Sequence, residues 1–280
     1  MKRFLPMLSL CGALVSPSQA LPNAPEIIPA KGGAIRITPI YHGSLQIEFQ
    51  GFVIQVDPFS AGDYSGAKPA DWILITHTHA DHFDLPEMLD ISNRSATPMV
   101  IVPRVAAQQL KKTKFYAERR IMALDNGQSF RDHAGRTDNK RDVHVDLLVE
   151  AVPMYNVVRG PKPGQKFHPQ GQFNGYVLTL GDKRIYIAGD TEATPEMKAL
   201  KNIDVAFLPM NLPYTMTPQE AATGARAFKP KVVYPYHYRY PFTKLNSNPQ
   251  QFAKALEGSG IRVKIRDWYG HPARKLIAKP

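Results

Sequence analysis

Short hydrophobic runs rich in Ile, Val and Phe, separated by Gly, Pro and polar residues, recur along most of the chain. Such runs are typical of β-strands. They predict strands at residues 35–40, 45–49, 52–56, 72–76, 99–102, 147–152, 176–180, 184–187, 205–208 and 232–234. The run that begins at Trp72 does not alternate with polar positions, which indicates a strand buried on both faces. The Gln50-Gly51 pair between two runs predicts a hairpin turn.

Helices are predicted between several of these strands, at residues 105–112, 195–200, 218–228 and 249–256. Two of them begin with clear signals, because Thr194 and Thr217 each precede a Pro, and Glu220 completes a capping box with Thr217. The polar stretch 131–141 is expected to be an exposed loop. Strands followed by mixed strands and helices predict a layered α/β domain with two sheets inside and helices outside.

The composition is that of a folded globular protein, with 280 residues, 43% of them hydrophobic, 21% charged and a single Cys. Lys and Arg number 35 against 24 Asp and Glu, a formal net charge of +11. This surplus favours an anionic partner such as a phosphate ester or an acidic lipid, although moderately basic enzymes are common. Because no block of five like charges occurs, nucleic acid is not expected as a partner.

The first residues are typical of a secretory signal peptide. Lys2 and Arg3 precede an apolar run at residues 4–15, and Ser18-Gln19-Ala20 is a small-x-small cleavage site. We expect a signal peptide at residues 1–20 and one mature domain at residues 21–280, exported to a periplasm. The apolar run is too short to span a membrane, and no transmembrane segment is expected in the mature chain. Cys11 lies in the signal, and a lipoprotein signal there is less favoured because Leu10 is large.

The segment T-H-T-H-A-D-H at residues 76–82 combines several side chains that bind metals. Alternation along an extended chain points His77 and His79 to the same side, and the following turn can fold Asp81 and His82 back toward them. Imidazole nitrogens and carboxylate oxygens are the ligands that zinc and related ions take in proteins. The spacing therefore predicts two adjacent metal ions.

This His-x-His-x-Asp-His pattern after a buried strand resembles the signature of the metallo-β-lactamase superfamily. Upstream, Y-H-G-S at 41–44 and V-D-P-F at 56–59 resemble the branch that includes ascorbate-6-phosphate lactonase-like proteins and N-acyl phosphatidylethanolamine phospholipase D. Downstream, I-A-G-D-T at 187–191 and Y-H-Y at 236–238 resemble the later ligand positions. The resemblance implies a four-layer αββα sandwich and a metal-dependent hydrolase domain over residues 21–280.

The resemblance also implies a role for each matching residue. The expected metal ligands are His77 and His79 at the first ion, Asp81, His82 and His237 at the second, and Asp190 as the bridge between the two ions. Asp57, at a strand end, is expected to hold the ligand loop by hydrogen bonds.

The family pattern includes one more His, between the first motif and Asp190. The chain has Asn156 at the matching position, which is a poor zinc ligand, although its carbonyl suits harder ions. His168, in a Pro- and Gly-rich loop, is the other His nearby, and two functional roles stay open for it, as a metal ligand or as a proton donor. The third alternative is an exposed His without a role. His42 is expected to lie near the metal loop.

Two divalent metal ions about 3.5 to 4 Å apart can share a hydroxide that attacks a phosphorus or carbonyl centre. We expect zinc, with manganese or iron as alternatives, and Asp81 to orient the hydroxide or to receive its proton. No Gly-x-Ser-x-Gly motif occurs, and the mature chain has no Cys, so a side-chain nucleophile is not expected.

The expected substrate is a small or lipid-like ester, such as a phosphodiester or a lactone, with a weak preference for an anionic one. The alternative is an exported metal-binding protein that is non-catalytic or mononuclear because its first site is degenerate. A redox di-iron site is disfavoured, because the oxygen-reducing members of the superfamily carry Glu where His79 stands.

Overall fold

The computed structural model describes residues 24–95, 98–113, 120–138, 141–239 and 246–270. The expected signal peptide at residues 1–20 lies outside the described residues and stays a prediction.

The described chain forms two mixed seven-stranded sheets. The strands of the first sheet are β1 (Glu26–Ala30), β2 (Gly33–Tyr41), β3 (Ser44–Phe49), β4 (Phe52–Val56), β5 (Trp72–Leu74), β6 (Met99–Pro103) and β7 (Arg120–Leu124). Those of the second are β8 (Ser129–Asp138), β9 (Arg141–Met154), β10 (Phe173–Leu180), β11 (Lys183–Ile187), β12 (Val205–Pro209), β13 (Val232–Tyr236) and β14 (Arg262–Val263). Each strand run predicted from the sequence overlaps one of these strands, and the run predicted at residues 72–76 ends earlier, at Leu74.

In each sheet the strands are neighbours in chain order. The first four strands of each sheet pair antiparallel, and the later ones pair parallel. The β3–β4 hairpin turns at Gln50-Gly51, as predicted, with both residues at positive φ. The carboxyl ends of parallel strands lie at the same edge of a sheet. The loops after β4 and β5 in the first sheet, and after β11, β12 and β13 in the second, can therefore bring their side chains close together at that edge.

Five helices lie among the described residues: α1 (Leu85–Asn93), α2 (Arg104–Leu110), α3 (Pro195–Ala199), α4 (Pro218–Phe228) and α5 (Pro249–Ala255). Trp72 and Leu74 of β5 face the core between the sheets, whereas Ile73 and Ile75 pack under α1 and α2. The outer face of the second sheet packs likewise against α3, α4 and α5. These contacts give helix, sheet, sheet and helix layers, which is the αββα sandwich expected from the sequence.

The expected loop at residues 131–141 is wrong, because residues 131–138 lie in β8 and Arg141 begins β9, which pairs with β8. Strand β8 is the last strand of its sheet, and an edge strand with a solvated face tolerates a polar sequence. Arg131 pairs with Asp146 across the hairpin at 2.7 Å, so charged pairs replace the apolar alternation on which strand prediction relies.

The predicted helix starts are confirmed: Thr194 caps α3, and Thr217 forms a complete capping box with Glu220 at α4. Helix α1 was not predicted, although Asp84 caps it and accepts a hydrogen bond from the backbone of Glu87. None of the helices in the described residues is long and apolar enough to cross a membrane.

Candidate metal centre

Asp57 organises the loop that follows β5. Its Oδ1 accepts the Thr76 backbone N–H at 2.7 Å, and its Oδ2 accepts the Thr76 hydroxyl at 2.6 Å and His82 Nδ1 at 2.8 Å. Asp57 and His82 are fully buried, and Asp57 has the positive φ of 43° that turns the chain here. The contacts agree with the role expected of Asp57, which is to hold the ligand loop.

A first cluster of nitrogen donors contains His77, His79 and His168, whose nearest ring nitrogens all lie within 4.8 Å of one another. His168 Nε2 is 3.2 Å from His79 Nδ1. His77 and His168 are fully buried, whereas His79 is exposed. Solvent therefore reaches this cluster from the side of His79.

A second cluster lies next to the first and contains Asp81, His82, Asp190 and His237. His82 Nε2 is 2.8 Å from His237 Nε2, and both nitrogens face Asp190 Oδ1, at 3.5 and 3.3 Å. Asp81 Oδ2 lies 3.7 Å from His82 Nε2 and 3.5 Å from His237 Nε2. The other oxygen of Asp190, Oδ2, is 3.8 Å from His168 Nε2, so this carboxylate stands between the two clusters.

Hydrogen bonds at the Nδ1 atoms fix which nitrogens can bind a metal. His168 Nδ1 lies 2.7 Å from the Asn156 carbonyl oxygen, which can only accept, so the ring proton is on Nδ1 and Nε2 is bare. His77 Nδ1 faces the Thr76 hydroxyl at 3.0 Å, whose own proton is donated to Asp57. His77 Nε2 is buried without a hydrogen-bond partner among the described residues.

The electrostatics of the clusters follow from burial and charge. Burial and the neighbouring histidines hold the pKa of His77 and of His168 well below the usual range, so both rings are neutral. Burial alone would lower the pKa of His82, but the carboxylates of Asp190, Asp81 and Asp57 raise it to about 10. For Asp81 the effects are reversed. Burial alone would raise its pKa, yet the charge of His82 and the hydrogen bonds of His237 and His42 keep the pKa of Asp81 well below the usual range.

The donor atoms fit divalent metal ions. Two ligands that each lie about 2.0–2.2 Å from zinc are roughly 3.3–3.6 Å apart in a tetrahedral site. Four contacts of the second cluster lie between 3.3 and 3.7 Å. A proton between two of these atoms satisfies one contact, whereas a cation at the centre satisfies all of them. His77 Nε2 and Asp190 Oδ1, both buried without a hydrogen bond among the described residues, are explained in the same way.

All six residues expected to be metal ligands thus come together, and the structure adds His168 to them. Their assignment as metal ligands stays a prediction. Asn156 does not point at the clusters: its side chain donates to the Tyr214 carbonyl at 2.8 Å and accepts from the backbone and the ring of His168. The Pro- and Gly-rich loop brings His168 next to His77 and His79, as the ligand interpretation of His168 requires. The exposed alternative for His168 is wrong, because its side chain is fully buried.

Comparison with known proteins identifies the family. A family model described as the beta-lactamase superfamily domain matches residues 49–238. A metal-dependent hydrolase of Anoxybacillus flavithermus is 33% identical over 235 residues, which cover 80% of this chain and 96% of the relative. The chain belongs to the beta-lactamase superfamily. Within it, a metal-dependent hydrolase of Methanopyrus kandleri is 28% identical over 240 residues, covering 82% of this chain and 95% of the relative.

Solved structures place this superfamily member among proteins of the same fold. A crystal structure of a metal-dependent hydrolase from Parabacteroides distasonis shares 40% identity with a TM-score of 0.68, covering 87% of this chain and 98% of the other. A metallo hydrolase from Ignicoccus hospitalis shares the fold at 21% identity and a TM-score of 0.64, covering 86% of this chain and 96% of the other. The protein is therefore a metal-dependent hydrolase.

Apolar side chains stand next to Asn156 and His168 in the chain of this hydrolase. Phe167, next to His168, packs edge-to-face on Tyr214 with ring centroids 4.9 Å apart. Val157 and Val158, which follow Asn156, are 46% and 75% exposed. Thr215 is fully buried, and its hydroxyl donates to Asn211 Oδ1 at 2.7 Å within the same loop.

Proposed function

We propose that this metal-dependent hydrolase holds two divalent metal ions and cleaves an ester-type bond of a phosphodiester or a lactone. The observation that carries the proposal is the position of Asp190. Its Oδ1 lies 3.3 Å from His237 Nε2 and 3.5 Å from His82 Nε2, and its Oδ2 lies 3.8 Å from His168 Nε2. One carboxylate that offers an oxygen to each of two adjacent donor clusters can bridge two adjacent ions.

Each cluster has enough donors for one ion. His77, His79 and His168 would hold the first ion with Asp190 Oδ2, and Asp81, His82 and His237 would hold the second with Asp190 Oδ1. Because the donors are imidazole nitrogens and carboxylate oxygens, zinc is the ion we expect, with manganese or iron as alternatives. Two such ions would supply an activated water and polarise the bond to be cleaved.

The chain's own residues set the charges around this chemistry. Asp81 is ionised and offers Oδ2 to the second cluster, where it can orient a water or receive its proton. His168 keeps its proton on Nδ1, held by Asn156, and turns a bare Nε2 to the first cluster. Of the two roles open for His168, this geometry favours the ligand over the proton donor.

The substrate class is supported by charge and by the apolar side chains next to Asn156 and His168. The formal net charge of +11 favours an anionic ester. Val157 and Val158 are exposed and follow Asn156 in the chain, and Phe167, which precedes His168, packs on Tyr214. Together they support a phosphodiester or lactone that carries an apolar group, which is consistent with the lactonase- and phospholipase-like branch.

We further propose that the enzyme is exported. The support is the basic pair Lys2 and Arg3, the apolar run at residues 4–15 and the cleavage site at Ala20. Expression of the full chain in a bacterium with a periplasm, followed by N-terminal sequencing of the periplasmic protein, should give a start at Leu21. Retention in the cytoplasm with Met1 intact would contradict export.

The dinuclear site is tested by metal content and turnover. The purified protein should contain two equivalents of metal by plasma mass spectrometry and should hydrolyse one member of a phosphodiester and lactone panel. Asp190→Asn should lose both metals and the activity, because one oxygen of the bridge becomes an amide nitrogen. Asp182→Asn is the matched control, since Asp182 is an exposed turn residue paired with Lys183.

Two results would contradict the proposal. An Asp190→Asn variant with unchanged metal content and turnover would show that Asp190 is not the bridge. A wild-type protein that binds one equivalent and hydrolyses no ester would favour the mononuclear or non-catalytic alternative.

A further inference from the structure

Glu192 is a buried carboxylate that belongs to neither donor cluster. It follows Asp190 by two residues and is only 5% exposed. Its Oε2 accepts the backbone N–H of Val157 at 3.0 Å and that of Val158 at 2.7 Å. Its Oε1 accepts the backbone N–H of Arg159 at 2.8 Å. Three consecutive backbone N–H groups thus point at one carboxylate, which fixes the path of the segment that contains them.

Two side chains of the same segment also donate to Glu192. Arg159 Nη1 lies 3.3 Å from Glu192 Oε1, and Asn156 Nδ2 donates to the same oxygen at 3.3 Å. All of these partners are donors, which a carboxylate can accept on both of its oxygens. Hydrogen bonds to a carboxylate are roughly twice as strong as those between neutral groups. A neutral side chain of the same shape therefore cannot replace Glu192 at this position.

The carbonyl groups of the segment are held from another side, by Lys166. Its Nζ donates to the Val157 carbonyl at 2.5 Å and to the Val158 carbonyl at 2.8 Å. The chain then turns back on itself at Gly160, where a Cβ would lie 1.7 Å from the backbone oxygen of Gln165. Donors and acceptors of the segment are thus both bonded, which leaves its backbone one defined conformation.

The segment that Glu192 holds leads directly to the first cluster. Asn156 begins it, and the Asn156 N–H donates to the His168 carbonyl at 2.9 Å. Asn156 Oδ1 accepts the His168 N–H at 2.8 Å and lies 2.7 Å from His168 Nδ1. His168 Nε2 in turn lies 3.2 Å from His79 Nδ1 and 3.8 Å from Asp190 Oδ2. A chain of hydrogen bonds therefore connects Glu192 to the donor atoms of the first cluster.

We propose that Glu192 is a positioning residue of the first metal site. Its carboxylate fixes the segment 156–159, so that Asn156 holds the His168 ring with Nε2 toward the first cluster. The inference rests on the proposed dinuclear site, in which His168 is a ligand. Loss of the carboxylate should weaken the first ion. It should leave the second ion in place, because the other donors of that site come from the loops after β5 and β13.

The test is a titration of the metal-free full-length protein with Co²⁺, followed by its visible absorption bands. Glu192→Gln is the main variant, because it keeps the shape of the side chain and turns an amide nitrogen toward N–H donors. It should bind Co²⁺ about ten- to hundredfold more weakly at the first site and unchanged at the second. Asp81→Asn, which alters the second cluster, identifies the titration step of that site. A purely structural role of Glu192 would lower Tm and leave both steps unchanged.

Glu196→Gln is the matched control. It removes the same charge four positions along the chain, and its amide oxygen can still accept the Tyr155 hydroxyl, which lies 3.0 Å from Glu196. It should titrate as the wild type does. Glu192→Asp carries the test if Glu192→Gln does not fold, because the shorter side chain keeps the charge but reaches fewer donors, and it should weaken the first site to a smaller extent.

Two results would overturn the role of Glu192 alone. One is an unchanged first-site affinity in the folded Glu192→Gln variant, or in Glu192→Asp in its place. The other is an equal loss at both sites, since a positioning role through Asn156 and His168 affects the first site. A wild-type protein that binds one Co²⁺ would overturn the dinuclear site, and the inference about Glu192 with it.

Discussion

Asn156 either occupies a metal-ligand position or holds His168 in place, and replacing Asn156 by His distinguishes these two interpretations. If Asn156 occupied a ligand position, Asn156→His would restore a missing ligand and raise the metal content. In the structure Asn156 is only 2% exposed, and its side chain forms hydrogen bonds with His168, the Tyr214 carbonyl and Glu192 Oε1. We therefore expect Asn156→His to lower metal content, because a larger ring must enter a filled space and the hydrogen bonds to His168 are lost.

Asn156→Ala gives the magnitude. It removes four hydrogen bonds: from the His168 backbone N–H at 2.8 Å, from His168 Nδ1 at 2.7 Å, to the Tyr214 carbonyl at 2.8 Å and to Glu192 Oε1 at 3.3 Å. At about 1 kcal/mol each, the free energy of unfolding should fall by about 4 kcal/mol. At roughly 2–4 °C per kcal/mol for a chain near this size, Tm should fall by about 8–16 °C. The first metal should bind about ten- to hundredfold more weakly, because the His168 ring is no longer oriented.

The assay is thermal unfolding together with equilibrium dialysis against zinc. Gln108→Ala is the matched control, because Gln108 is exposed on α2 and its replacement should change neither quantity. The reasoning is refuted if Asn156→Ala keeps the wild-type Tm and first-site affinity, or if Asn156→His gains an equivalent of metal.

Three further predictions concern the second cluster and the ions. A Cβ at Gly43 would lie 2.7 Å from His82 Cε1. Gly43→Ala should therefore displace the His82 ring, cost about 1–3 kcal/mol and weaken the second metal in dialysis, whereas Gly66→Ala, which meets open space, should change nothing. Because the pKa of metal-free His82 is about 10, its charge stabilises the metal-free fold fully below pH 6.5, and this contribution is lost as the pH rises through 10. Metal binding at pH 8 should accordingly release a proton, measured by calorimetry in buffers of different ionisation enthalpy; the absence of release would contradict a charged His82. Chelation of metal present at about 100 times its Kd should remove about 2.7 kcal/mol and lower Tm by roughly 5–11 °C, and an unchanged melting curve would count against the site.

The parts of the fold that sequence predicts are those set by local chemistry. The Gln50-Gly51 turn and the Thr217 capping box depend on residues next to one another, and both are found as expected. Strand β8 was missed because its pairs are charged, and a polar alternation resembles a loop until the partner strand is known. Helix α1 was missed because its nine residues carry only a short apolar face.

The candidate site also has parts that the sequence predicts and parts that it does not. His77 to His82 are close in sequence, and a single loop after β5 brings them together. The relation of Asn156 to His168 depends on a loop that closes on itself, and the relation of Asn156 to Glu192 spans 36 positions of the chain. A hydrogen bond that fixes a tautomer leaves no pattern in the sequence, so such contacts are seen only in the folded structure.

The donors of the candidate centre come from both sheets, yet the sheets are joined beneath it without any ion. The Tyr176 hydroxyl donates to the Ile75 carbonyl at 2.8 Å, and the Asn174 N–H donates to the Thr76 carbonyl at 3.1 Å. These bonds fasten the strand end that carries His77 directly to β10 of the second sheet. The ligand loop is therefore held before metal binds, unlike a small zinc domain that folds only around its ion. For this reason metal removal should lower the stability of the fold by the binding energy alone, and the metal-free protein should keep the arrangement that makes rebinding fast.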